Sequence, residues 1–239
     1  MTPEASAAAG PPVASATEAL SAASATVASA HVASSYAALH VEAARLLKEL
    51  SATSEVLVLA ASKGAAGDFV RQSAAGGFLG VHTLTLAHLA AALATRQVSS
   101  RQLTPLSTLS QEALVARVVY ENRTRLDYFG PVADRPGFIG ALSRTLLELR
   151  LDEIELAQLA ATGAPGEDLA RLAAAYQREL ETQSLADLAQ LYRLALETKS
   201  HHLLHLPTIL LDVPIRTRLS KRLIAKLSQV HAFTLSADE

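Results

Sequence analysis

This sequence predicts an α/β protein in which a parallel sheet is interrupted by a long helical insertion, and three observations carry that prediction. Val56–Leu59 and Pro207–Leu211 are short, almost unbroken apolar runs, the form taken by strands buried on both faces of a parallel sheet. A polar turn and a helical pattern follow the first run at once, which makes half of a βαβ unit. Between about Pro105 and Lys199 nothing alternates like a strand, while helical periodicity recurs throughout.

Taken in order, the chain opens with an Ala/Ser-rich stretch to about residue 25 that contains Pro3, Pro11 and Pro12. It lacks the basic start and leucine-rich core of a signal peptide and reads as a disordered leader. Thr26–Ser29 predicts a short strand, and Tyr36, Leu39, Ala43, Leu46, Leu47 and Leu50 line one helix face. The Val56 strand follows, then Ala60, Ala61, Ser62, Lys63 and Gly64, then a helix with Ala65, Ala66, Phe69 and Val70 available to one side. Gly76 and Gly77 mark a break, Phe78–Thr85 predicts another buried strand, and Leu86–Ala94 its helix.

The insertion starts at a turn around Pro105, with Thr108 or Ser110 placed to cap a helix reaching about Asp127. Tyr128–Pro136 is a proline-interrupted loop. Helices are expected over Gly137–Leu149, Asp152–Ala160, Glu167–Glu181 and, capped by Ser184, to about Lys199. The α/β pattern then returns: a strand ending in Asp212, a basic helix over Leu219–Leu227, and a last strand over Val230–Leu235. The organisation is therefore 1–25 leader, 26–104 first part of the α/β domain, 105–199 insertion, and 200–239 return. A sheet that ends on a terminal strand leaves an edge and a bare face, which predicts a piece of a longer protein.

Composition narrows the function. Net charge is −2, so no global polycation seeks nucleic acid, and any basic surface is local. Such a surface lies between Leu206 and Ala232, where Arg216, Arg218, Lys221, Arg222 and Lys226 stand against Asp212; it fits a solvated helix face, a subunit contact or a phosphate track. From Thr145 to Thr198 ten acids face four bases, a net −6 that repels phosphate and turns this part of the insertion toward protein or solvent. With no cysteine there is neither a disulfide framework nor a thiolate site, which fits a reducing cytoplasm. No apolar run approaches the ~20 residues that span a bilayer, so no membrane partner is expected.

Against that background the chain resembles the first RecA-like domain of UvrD/Rep-type superfamily 1 helicases, in the diverged form of the AddB/RecB-like helicase–nucleases. The family has a strand followed by Thr-Phe-Thr-Asn-Lys-Ala-Ala-x-Glu-Met and an Arg. Here stand Ala60, Ala61, Ser62, Lys63, Gly64, Ala65, Ala66, Gly67, Asp68, Phe69 and then Arg71. For the family's Thr-Phe-His-Ser the chain has Thr83, Leu84, Thr85, Leu86. For its tyrosine, leucine and Asp-Phe-Asp-Asp-Leu it has Tyr176, Leu180 and Asp187, Leu188, Ala189, Gln190, Leu191. For Asp-Glu-x-Gln-Asp it has Asp212, Val213, Pro214, Ile215, Arg216. The order and spacing run from about Thr26 to the end of the chain.

The departures bear on chemistry. A phosphate-binding loop uses glycine N–H groups and a lysine, and it should fall near Ala30–Tyr36. Yet there is no glycine between Gly10 and Gly64, and the first lysine is Lys48. Val213 stands where the family has its catalytic acid, so Asp212 is the vestige of the Walker B pair. The resemblance thus implies a RecA-like fold with a degenerate Walker A, no ATPase activity in this segment and no cofactor, within a DNA-repair helicase–nuclease subunit. The PD-(D/E)XK nuclease of such proteins lies far toward the C-terminus, and nothing in this chain resembles it. Implied partners are single-stranded DNA, held weakly and without sequence preference, and a motor helicase subunit. Ser62, Lys63, Thr83 and Thr85 match the family's DNA-backbone positions.

The residues by themselves admit blander readings. Lys63 also fits a solvated turn lysine, Asp212 a turn cap before Pro214, and His82 and His88 packed layers. His201, His202 and His205 have metal-like spacing without a nearby carboxylate or cysteine and read as a polar segment end. The whole then reads instead as a non-DNA α/β scaffold with a helical protein-interaction arm.

Overall fold

The structure is a computed structural model and describes residues 27–33, 35–73, 77 and 79–235; the leader and the Gly76 side of the glycine break lie outside these. Its centre is a five-stranded, wholly parallel sheet in the order β1-β7-β6-β2-β3. The strands are β1 (Val27–Ala33), β2 (Val56–Ala60), β3 (Val81–Leu84), β6 (Thr208–Leu211) and β7 (Val230–Leu235). β2 and β6 are neighbours, Leu57 opposite Thr208 and Ala60 opposite Leu211. Every residue of both is buried, as runs apolar on both faces require.

Helices cover the two faces. On one side α1 (Tyr36–Ser51) and α2 (Lys63–Ser73) place Leu39, Ala43, Leu47, Ala66 and Phe69 against Val56, Val58, Ile209, Leu211 and Phe233. On the other, α3 (Leu86–Ser100), α8 (Leu188–Glu197) and α9 (Arg218–Ile224) pack against Leu57, Leu59, Leu210, Val230 and Ala232. α8 falls inside the stretch expected to form the insertion, yet it lies on α3 and helps to cover the sheet.

Between α3 and α8 the chain builds a helical arm with its own core. It contains α4 (Thr108–Asn122), α5 (Phe138–Leu151), α6 (Leu156–Ala160) and α7 (Ala164–Thr182), centred on Val115, Leu146, Leu172 and Tyr176. Two short strands, β4 (Thr104–Pro105) and β5 (Leu185–Ala186), pair in parallel at its base. Among the described residues, no helix is long and apolar enough to cross a membrane.

Several local expectations need correction. The strand expected over Phe78–Thr85 as a buried one is four residues long and only half-buried, because β3 is an edge. Leu79 before it is 94% exposed. The helix expected to reach about Asp127 ends at Asn122, and Ser107 caps it in place of Thr108 or Ser110. Asp152–Ala160 is not one helix: Glu153 takes a left-handed φ of 52° and splits α5 from α6. Ser184 also has positive φ, and the cap of α8 is Asp187, whose Oδ1 accepts the Gln190 N–H at 2.8 Å.

Candidate functional site

In an open parallel sheet ligands sit beyond the carboxyl ends of the strands, where successive crossovers diverge to opposite faces. Here that point lies between β2 and β6. β2 leads into α2 on one face, and its neighbour β6 leads into α9 on the other. The ends of β2, β3 and β6 enclose an open cleft of about 260 Å³ whose lining includes Ala60, Ala61, Thr85, Val213, Arg216 and Thr217.

The sequence-predicted residues divide around this cleft. Ser62 starts α2: its hydroxyl accepts the Ala65 N–H at 3.1 Å, and its carbonyl accepts that of Ala66. Lys63 is the first residue of α2, exposed and without an ion pair among the described residues. A cation at this end of a helix opposes the macrodipole, so Lys63 does not stabilise the helix it starts. Thr85 caps α3, accepting the His88 N–H at 3.3 Å, with its hydroxyl 2.7 Å from His88 Nδ1. Thr83 stands apart from these three. It lies inside β3 opposite Val58, on the face covered by α2, and not on the turn beyond the strand.

Asp212 directly follows β6 in a left-handed conformation, φ 48°, which aspartate tolerates better than most residues. Its N–H donates to the Phe233 carbonyl at 2.8 Å, and its Oδ2 accepts the Tyr36 hydroxyl at 2.8 Å. That bond and the negative charge of Asp212, with slight burial, raise the Tyr36 pKa above the ordinary phenol value. Val213 is buried in the layer between sheet and α9.

Tyr36 is the partner that sequence reasoning assigned only to a helix face. Its side chain is 57% exposed at the start of α1, reaching across to the end of β6. β1 ends at Ala33 and α1 begins at Tyr36, so two positions separate them where a phosphate loop was sought. Within that segment His31 lies flat on Phe233, ring centroids 4.7 Å apart. Arg216, expected from the sequence as the end of the motif that starts at Asp212 and as part of a basic run, lies on the cleft wall.

Two other bases of that run have side-chain partners: Arg222 pairs with Glu153 at 2.8 Å, and Lys226 donates to the Leu196 carbonyl. The backbone N–H of Arg218 donates to Asp152 at 2.8 Å, while the Arg218 and Lys221 side chains are exposed. Burial lowers the Lys226 pKa. His82, His201 and His202 lie elsewhere. His82 sits 2.9 Å from Glu55, and His201 and His202 stack at 4.6 Å just before β6, on the amino side of the strands. Burial, with His202 beside it, lowers the His201 pKa. Among the described residues, no group of three or more His, Cys, Asp or Glu is placed to hold a metal ion.

A family model described as ADDB, N-terminal, matches residues 64–213, more than half of the chain. The match runs from the first turn of α2 through the arm to the residue after Asp212. No curated protein matches the chain.

Proposed function

The chain belongs to the AddB N-terminal family, and on that premise we propose that it is a catalytically silent, helicase-like module of an AddB-like DNA-repair helicase–nuclease. The observation that carries this reading is the hydrogen bond from Tyr36 to Asp212, together with the two positions that are all that separate β1 from α1. A nucleotide site needs a glycine-rich loop long enough to wrap phosphates, a lysine for their charge, and a carboxylate free to hold magnesium. The β1–α1 connection has neither the length nor the glycines nor the lysine, and the one acid left is engaged by a tyrosine. Nucleotide and magnesium do not fit these residues. The fold is read accordingly as RecA-like with a degenerate phosphate loop. Residues 105–199 are its insertion, the last helix of which doubles as cover for the sheet.

What the strand ends retain is a polar, weakly cationic rim. Ser62, Lys63 and Thr85 stand on turns beyond β2 and β3, and Arg216 on the turn after β6. Hydroxyls, N–H groups and cations in that position meet phosphate oxygens without reading bases, so the module holds single-stranded DNA weakly and independently of sequence. Ala61 and Thr85 stand where the family has an aromatic ring and a histidine, so base stacking is missing from this rim. A motor helicase subunit is the second partner, and the acidic half of the arm is a surface suited to protein contact. The experiment is calorimetric titration with magnesium ATP, with and without single-stranded DNA: no saturable binding tighter than millimolar and no DNA-stimulated hydrolysis are expected. Saturable micromolar binding sinks this reading.

A further inference from the structure

The arm is not uniform. Its acidic part begins after Arg144, whereas from Thr108 to Arg144 five arginines stand against four acids, Glu112, Glu121, Asp127 and Asp134. Ala116, Val119, Tyr120 and Arg123 fall at helical spacing on one stripe of α4. That stripe forms one wall of a cleft of about 410 Å³, and the 133–139 segment, with Arg135 and Ile139, forms the other. Tyr120 is 65% exposed at the α4 wall, so its ring is accessible from solvent. The Arg123 guanidinium lies 4.0 Å from the centre of that ring and donates to the Tyr120 carbonyl at 2.9 Å, so the pair is held together before any ligand arrives.

The loop that leads from α4 toward the far wall is anchored at its start. Asp168, 1% exposed, accepts the N–H groups of Asp127, Tyr128 and Phe129 and the Arg171 guanidinium, and so pins the start of the loop. Asp134 is the one acid lining the cleft, against Arg123 and Arg135. Arg135 has no ion-pair partner among the described residues. An exposed ring with a guanidinium held over it, an apolar floor and a cation without an ion pair complement a base attached to a phosphate.

We propose that the cleft between α4 and the 133–139 segment is a platform for single-stranded nucleic acid, on which Tyr120 and Arg123 stack a base and Arg135 meets a phosphate. The proposal shares its ligand class with the strand-end reading but adds a contact of a different kind, one that depends on the base. The test compares, by anisotropy at low salt, an oligothymidine of about fifteen nucleotides with an abasic phosphodiester of equal length and charge. The parent chain should bind the oligothymidine about tenfold more tightly. Tyr120→Ala should abolish that preference and Tyr120→Phe should keep it, while Lys63→Ala should weaken both oligomers alike. Equal binding of the two oligomers by the parent, or a preference that survives Tyr120→Ala, overturns the platform. If Lys63→Ala still weakens both in that case, the strand-end site stands without it. If neither oligomer binds, both readings fall.

Discussion

Asp187 and Asp212 each directly follow a short parallel strand, and the two regions they serve are built on opposite principles. At the base of the arm Asp187 is fully buried. Its carboxylate takes Arg150 Nε at 2.6 Å and caps α8, and Arg150 lies 5.8 Å from the Tyr176 ring. Around it Arg193 donates to the Arg150 carbonyl at 3.0 Å, and desolvation lowers the Arg193 pKa. At the carboxyl end of the sheet Asp212 is half-buried, and its carboxylate has Tyr36 as its hydrogen-bond partner. A buried charge with several partners is a joint, whose loss is felt as stability. A half-exposed charge with one neutral partner contributes little to the fold and is free to be read as the remnant of a site.

The comparison breaks first at the joint. Arg150→Met leaves the buried Asp187 carboxylate without its ion pair, and removing one partner of such a pair costs about 3 kcal/mol or more. For a chain of this size that lowers the melting temperature by roughly 6–12 °C. Asp212→Asn should cost under about 1 kcal/mol, the ordinary worth of a partly solvated hydrogen bond. Thermal unfolding of the two variants side by side gives the answer. Equal losses would mean that the two aspartates do not differ in kind.

The same contrast explains what the sequence made legible. β2 and β6 were readable because an unbroken apolar run has few other places to go, and β7 and the core faces of α1 and α2 follow the same logic. The breaks in the arm were legible as breaks but not in their positions, because polar side chains far away in sequence set those positions. α4 stops at Asn122 and the chain turns where Asp168 gathers the amides of residues 127–129. α5 stops at Leu151 where Arg218, Arg193 and Arg222 draw on Asp152 and Glu153, residues that helix propensity alone would have continued. β3 was read as buried because edge position depends on strand order, which no local run contains. At the strand ends, Ser62, Lys63 and Thr85 were found from motif order, whereas Tyr36 as the partner of Asp212 required two elements that are 176 residues apart in sequence to meet.

A middling effect is expected at the rim, and it should appear in binding and not in stability. Lys63→Ala removes an exposed cation from a helix start where it opposes the dipole, so the melting temperature should hold or rise slightly. Affinity for single-stranded DNA should fall alike for all sequences, and the salt slope should drop by roughly one phosphate contact. Unchanged affinity at low salt would remove Lys63 from the interface and leave it a solvated turn residue.

The smallest effect belongs to Tyr36, and its sign depends on pH. The Tyr36 pKa is raised in the folded chain, by its hydrogen bond to Asp212 first and by the charge of Asp212 next. Below the ordinary phenol value both folded and unfolded states carry the neutral hydroxyl, so whatever the bond contributes is fully present. As pH rises the unfolded chain releases the proton first, and the contribution fades until the folded tyrosine ionises as well. Water competes for a group this exposed, so Tyr36→Phe should cost about 0.5 kcal/mol or less at about pH 8. Denaturant midpoints of parent and variant should therefore differ slightly at about pH 8 and converge toward about pH 11. The variant should bind magnesium ATP no better than the parent, because freeing Asp212 restores neither glycines nor a lysine to the β1–α1 turn. A gap in midpoint that widens with pH would mean that Tyr36 is not held by Asp212. Nucleotide binding gained by the variant would mean that the tyrosine blocks a site that is otherwise intact.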